Sequence, residues 1–269
     1  MLTYPDINPV AFSLGAFKVH WYGIMYLAAF ASAWWMASKR CLRQDIGITV
    51  KQVEDLVIYG ALGAVLGGRL GYVFFYNFEK WLGDPLWLFR LWEGGMAFHG
   101  GLLGVILAMF IYARKYNLHF LDVTDFIAPI VPLGLGFGRI GNFIGGELWG
   151  RPTDVPWGMV FPHVDDLVRH PSRLYQAFLE GIVLFVILLW FSAKPRPRMA
   201  VSALFLIFYG IFRFLVEFVR QPDAHIPELI LGWMSRGQLL SVPMIVIGML
   251  LLVLAYSKIS LKSNSKDHL

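Results

Sequence analysis

An all-α integral membrane protein, with seven transmembrane helices and an outer-facing cap loop, is what this sequence predicts. Of its 269 residues, 57% are hydrophobic and only 15% charged, against about 25% charged in a soluble domain. Seven stretches approach the roughly 20 mostly apolar residues that cross a bilayer: 19–37, 56–76, 96–113, 126–144, 174–191, 199–219 and 239–256. Basic residues collect in alternate connecting segments.

The first stretch is followed by Lys39, Arg40, Arg43 and Lys51, and the third by Arg114 and Lys115. The fifth is followed by Lys194, Arg196 and Arg198, and the tail, 258–269, carries Lys258, Lys262 and Lys266. These segments share one side, the cytoplasmic one if basic loops stay inside. The opposite side mixes fewer basic residues with Glu79, Asp84, Glu93, Asp154, Asp165, Asp166, Asp223 and Glu228. The N-terminus then lies outside and the C-terminus inside. The longest loop, 145–173, faces outward and is rich in Pro, Trp and charge, which suits an ordered cap. The 22 Phe, 11 Tyr and 10 Trp suit interfacial belts.

Composition also excludes classes. The net charge of +5 is scattered through loops, so no basic stripe for nucleic acid exists. The single Cys41 rules out an intrachain disulfide, and no Cys/His metal spacing occurs. The first sixteen residues hold Pro5, Asp6 and Pro9 and lack a basic n-region, so no cleavable signal is expected.

Ionisable residues inside spans mark candidate sites. The second, fourth and sixth stretches run outward, and Arg69, Arg139 and Arg213 each come about thirteen residues in. At about 1.5 Å per residue that is about 20 Å along a core about 30 Å thick. Tyr22 and His99 sit near the outer starts of the first and third stretches. Five spans thus bring polar groups to one layer near the outer headgroups. Guanidinium forks suit carboxylate or phosphate. Tyr209, Arg213, Glu217 and Arg220 form one helical stripe, and Glu147 precedes Arg151 by four. Mutual neutralisation within these pairs is one reading, and it leaves Arg69 and Arg139 for an external phosphate. Arg69 as a snorkelling headgroup contact is a structural alternative. His99, between Gly94-Gly95 and Gly100-Gly101, is either a proton acceptor or a hydrogen-bonded residue in a tight helix contact. Tyr22 also fits an aromatic belt, Asp125 an N-cap of the fourth span, and Cys41 a bystander on the cytoplasmic side. A transporter is disfavoured because no internal repeat is found and the polar layer is off-centre. A metal-dependent phospholipid phosphotransferase would need an acidic cluster within a span.

The segment from Gly138 through Arg139-Ile140-Gly141-Asn142-Phe143-Ile144-Gly145-Gly146-Glu147 to Gly150-Arg151 resembles the prolipoprotein diacylglyceryl transferase signature, G-R-x-G-N-F-x-N-x-E-x-x-G. Gly145 stands where that family usually has Asn. Trp21-Tyr22-Gly23, His99-Gly100-Gly101, His170-Pro171-Ser172 with Tyr175, and Tyr209-Gly210-Ile211-Phe212-Arg213-Phe214 with Glu217 follow in the family's order. The resemblance covers nearly the whole chain and implies one membrane-embedded catalytic domain, 1–269, in the bacterial inner membrane, its site toward the periplasmic leaflet. It implies transfer of the diacylglyceryl group of phosphatidylglycerol to a prolipoprotein lipobox cysteine, releasing glycerol phosphate, with no metal or organic cofactor. Family-essential positions match Tyr22, His99, Arg139, Asn142, Glu147, Arg151, Tyr209, Arg213 and Glu217. Lipid binding would fall to Arg69, Arg139, Arg151 and Arg213 with Gly100, and thiol deprotonation to His99 or to the arginine field.

Overall fold

The computed structural model describes residues 2–5, 7–15, 17–43, 47–222 and 233–264. Asp6, Asp223, Glu228 and Lys266, named above, lie outside these. The chain forms two compact units: one joins Met1–Ala33 to Asp125–Leu269, the other is Trp34–Thr124.

The chain is mostly helical but not all-α. Strands β1 (Leu2–Thr3), β2 (Val10–Leu14) and β3 (Phe17–His20) precede α1 (Trp21–Arg43). β2 and β3 form an antiparallel hairpin, so residues 19 and 20 of the expected first span are strand. β1 runs parallel to β4 (Met159–Val160), which pairs antiparallel with β5 (Val168–Arg169). The expected cap segment therefore folds as a small sheet with the N-terminus. α1 is long enough to cross a bilayer but carries Trp21, Tyr22, Tyr26, Trp34 and Trp35, aromatics that favour the interface.

Among the described residues, five helical stretches are long and apolar enough to span: Val50–Tyr76, Phe98–Lys115, Ser172–Phe191, Ala200–Glu217 and Arg236–Ser257. A sixth arises if Phe120–Ile127 and Val131–Ile144, bent by 51°, count as one. Pro129 and Pro132 explain the break, because proline lacks the amide that would continue the helix.

In the Trp34–Thr124 unit, α2 (Val50–Tyr76) is followed by the short α3 (Phe78–Gly83) and by α4 (Phe98–Lys115). α2 and α4 pack backbone to backbone. A β-carbon on Gly67 would lie 2.4 Å from the Gly100 carbonyl oxygen, and one on Gly63 would lie 2.6 Å from that of Gly104. Small residues one turn apart permit this approach between membrane helices. Gly67→Ala forces the helices apart and should cost about 1–3 kcal/mol, read as a lowered Tm in detergent. Gly60→Ala, which meets nothing within 4 Å, is the control. Equal melting of the two variants would contradict this packing.

In the other unit, α5 (Phe120–Ile127) leads to α6 (Val131–Ile144), and α7 (Ser172–Gln176), a π-helical stretch (Ala177–Val183) and α8 (Leu184–Phe191) form one rod. α6 packs on the π stretch through Gly136 and Gly181, where a β-carbon on Gly181 would lie 2.8 Å from the Gly136 Cα. α9 (Ala200–Glu217) and α10 (Arg236–Asn264) pack through Gly210 and Gly248. Asp125 lies within α5 rather than at the start of its span. It accepts from the Met199 and Ser202 amides at 2.6 and 2.8 Å and from the Ser202 hydroxyl at 2.6 Å, at the start of α9. Its negative charge there complements the helix dipole.

Candidate active site

In the larger unit, the polar residues converge around α6. The Arg139 Nε and Nη2 groups both donate to Glu180 Oε2 at 3.3 Å. Glu180 is fully buried and lies on the π stretch. π turns inside α-helices recur at functional sites. On α9, Arg213 Nη2 lies 3.0 Å from Glu217 Oε2, and Arg220 Nη1 donates to Glu217 Oε1 at 2.9 Å. The expected stripe holds for Tyr209, Arg213 and Glu217, while Arg220 lies just past the end of α9. Glu217 also abuts Gly237 in the first turn of α10: a β-carbon there would lie 2.8 Å from the carboxylate. The phenol of Tyr209 faces Arg139, Arg213 and Glu180. Arg139 is thereby held by a buried carboxylate from another helix, Glu180, and Arg213 by one on its own helix, Glu217.

Tyr22 lies across Gly141, where an added β-carbon would come 3.0 Å from the ring. Its hydroxyl is 3.3 Å from that of Tyr26, within electrostatic range of Arg139 and Glu147. Past α6 the chain turns sharply, with positive φ at Gly146 and Leu148. The turn folds Glu147 back so that Asn142 Nδ2 donates to its Oε2 at 3.3 Å. Gly146 also has to lack a side chain, since a β-carbon would sit 2.9 Å from His163 Nε2. Because this segment is not helical, the spacing of four does not pair Glu147 with Arg151. Arg151 Nε instead donates to the Arg220 carbonyl at 3.1 Å.

The cap residues pin this turn. The Tyr4 hydroxyl reaches the Phe143 and Ile144 carbonyls at 2.9 and 2.8 Å, while His163 Nε2 lies 2.8 Å from the Gly146 carbonyl. Arg169 binds Asp165 with two N–H groups and the Gly150 carbonyl with a third, holding the Asp165 carboxyl below its usual range. His170 Nδ1 is 3.2 Å from the Tyr175 hydroxyl, which accepts from Trp157 Nε1 at 2.7 Å. Burial lowers the His170 pKa.

The smaller unit holds the other candidates. Arg69 is 2% exposed and spends its guanidinium on backbone. It donates to the carbonyls of Leu88 (2.9 Å), Trp87 (2.6 Å), Arg90 (3.2 Å), Gly94 and Gly95. Five donors and five acceptors leave it organising the 85–95 segment, and its cation lies over Trp87. Gly100 likewise serves the α2–α4 contact. A β-carbon there would meet the Gly67 carbonyl oxygen at 2.4 Å. His99, in the first turn of α4, is exposed and touches Phe98 edge to face. Cys41 donates to the Ser38 carbonyl at 3.1 Å.

Two readings from the sequence are corrected here. Arg69 and Arg139, which showed no obvious local partner in the sequence, both have protein partners farther along the chain. The partner of Arg139, Glu180, was overlooked, although an acidic residue within an apolar stretch is the signal that singled out the arginines. Arg173, placed by the sequence at the edge of a loop, begins a helix and is 3% exposed.

Residues 9–254 match the family model for prolipoprotein diacylglyceryl transferase. The chain belongs to that family. A Teredinibacter turnerae protein named phosphatidylglycerol–prolipoprotein diacylglyceryl transferase is 61% identical over 95% of this chain and 93% of its own length. Proteins of that name from Methylococcus capsulatus (59% identical; 96% of this chain, 99% of theirs) and Acinetobacter baylyi (58%; 96% of each) are similarly close. Among the diacylglyceryl transferase signature positions, Gly145 is the departure. Its φ of −73° and ψ of −3° suit any residue, and a β-carbon would meet nothing closer than 3.5 Å. Gly145→Asn should therefore fold normally and keep transfer activity within about twofold, as expected where a substitution disturbs no buried group. A large loss in either would show that this site has adapted to glycine.

Proposed function

We propose that the chain transfers the sn-1,2-diacylglyceryl group of phosphatidylglycerol to the lipobox cysteine thiol of prolipoproteins. A thioether forms and glycerol phosphate leaves, the first step of bacterial lipoprotein maturation. The observation that carries this reading is the pair of family-signature arginines, Arg139 and Arg213, gathered with Tyr209 and held by the buried Glu180 and Glu217. Buried Arg213 Nη1 has no acceptor among the described residues, so a donor remains for a lipid phosphate.

The thiolate sulfur attacks the sp³ glycerol carbon bonded to the phosphodiester oxygen. The S–C bond forms, the C–O bond breaks with its electron pair to oxygen, and the thiol proton goes to a base. Charge grows on the phosphate, where Arg139 and Arg213 stabilise it. Asn142 orients Glu147, and Tyr22 and Tyr209 complete the polar wall. Arg151, through the Arg220 carbonyl, ties the cap segment to the end of α9. His99 is the proposed base, supported by its exposure and its motif. The acceptor thiol belongs to the prolipoprotein, not to Cys41. Seven spans result if α1 and the bent α5–α6 pair each cross the inner membrane. The basic segments then place the N-terminus and the cap in the periplasm, where exported prolipoproteins arrive, and the C-terminus in the cytoplasm.

The test uses purified protein, phosphatidylglycerol and a lipobox peptide. The peptide should gain one diacylglyceryl mass, and a peptide with serine at the acceptor position should gain none. Failure to modify the cysteine peptide, with the lipid present and the protein folded, would overturn the proposal.

A further inference from the structure

Glu180 sits where substrate does not reach it. Its side chain is 0% exposed, while that of its partner Arg139 is 22% exposed. The carboxylate therefore lies on the closed side of the guanidinium, and the open side is left for an anion. Local sequence sets this order. Gly136 and Gly181 bring α6 against the π-helical stretch Ala177–Val183, and a β-carbon on Gly136 would lie 3.3 Å from the Gly181 Cα. Arg139 follows Gly136 by three residues on the same face of α6, and Glu180 immediately precedes Gly181. Two features are unsuited to a pair that only stabilises the fold. Arg139 Nε and Nη2 both reach one oxygen, Oε2, at 3.3 Å, whereas charge-assisted N–H···O contacts settle at about 2.7–2.9 Å. The other oxygen, Oε1, has no donor among the described residues, and a buried polar atom left so calls for an explanation. A buried ion pair is itself weak support for stability, because desolvation offsets much of its attraction.

We infer that Glu180 is a positioning residue for the reaction: it aims Arg139 at the lipid phosphate while touching neither substrate. The inference rests on the transferase reading above and names a residue that the family signature does not contain. By accepting from Nε and Nη2, the carboxylate fixes the plane of the guanidinium and turns Nη1 to the open side. Tyr209 and Arg173 lie within electrostatic range of Glu180, and Arg139 is the residue that donates to it. An arginine fixed beforehand stabilises the charge that grows on the phosphate as the C–O bond breaks, without reorganising. Orientation of this kind acts on kcat more than on lipid affinity.

The experiment measures steady-state transfer and, by calorimetry, glycerol phosphate binding for the detergent-purified full chain. The variants are Glu180→Gln, Glu180→Asp, Arg139→Lys and the double variant of Glu180→Gln with Arg139→Lys. Glu180→Gln should lower kcat about tenfold to hundredfold, the scale of a misplaced catalytic group. KM for phosphatidylglycerol should change far less, and KM for the lipobox peptide should not change. Because Glu180 acts through Arg139, the double variant should stay within about twofold of Arg139→Lys alone. Glu180→Asp keeps the charge but withdraws the carboxylate by one methylene. It should still lose several-fold in kcat, which preserves the test if Glu180→Gln does not fold; a pair that serves only by its charge would accept aspartate. Wild-type kcat in whichever of these two variants folds, or an equal loss from Glu180→Gln with and without Arg139, overturns the inference. A wild type that binds glycerol phosphate but lipidates no peptide removes the transferase reading. Weakened binding in Glu180→Gln then still supports the positioning role, and unchanged binding overturns it. A wild type that neither lipidates nor binds overturns both.

Discussion

Replacing His99 with glutamine is expected to slow transfer by about 10²–10⁴-fold, the range of a general base. Glutamine keeps the approximate size and hydrogen-bonding capacity but does not titrate. His99 is exposed in the first turn of α4, so the substitution removes no buried contact and the melting temperature should hold. The dependence on pH carries the argument. A free cysteine has a pKa near 8.5, so raising the pH supplies thiolate without help, and the variant should recover part of its rate. Transfer rate against pH, at saturating phosphatidylglycerol, separates the two sources of thiolate. Parallel profiles with a uniform drop would make His99 a positioning residue and leave deprotonation to the arginine field.

Arg139→Lys should lower kcat/KM by tenfold or more while the protein stays folded. Arg139 offers Nε and Nη2 to one oxygen of Glu180, which leaves Nη1 for an anion in the same plane. Lysine carries the same charge on a single nitrogen and cannot serve both partners in a fixed fork. One charge-assisted hydrogen bond accounts for the expected size. If Arg139 served only to neutralise Glu180, the lysine variant would melt lower and turn over normally. Unchanged turnover with unchanged melting would mean that charge alone suffices.

The sequence revealed what periodicity and composition encode. Apolar stretches located the long helices with ends off by several residues and one stretch broken in two, and the spacing of Arg213, Glu217 and Arg220 gave contacts that the structure contains. Partnerships across helices were not legible. Glu180 lies 41 residues from Arg139, and no local spacing rule links them. The carbonyls that saturate Arg69 belong to a loop whose conformation has no periodic signature. Spacing misled at Glu147 and Arg151, because positive φ at Gly146 and Leu148 turns the chain out of the helix that a spacing of four assumes. The N-terminal hairpin and the small sheet were missed because strands of two to five residues are too short for an alternating pattern to declare them.

The central claim is that a thiol attacks carbon and a phosphate-stabilising arginine cluster releases glycerol phosphate intact. Running the reaction in ¹⁸O-labelled water, with mass analysis of both products, tests it most directly. Cleavage of the C–O bond by sulfur predicts one glycerol phosphate for each lipidated peptide, with no label in the phosphate. Labelled glycerol phosphate, or its release without matching peptide lipidation, would show water attacking the lipid and would contradict the account.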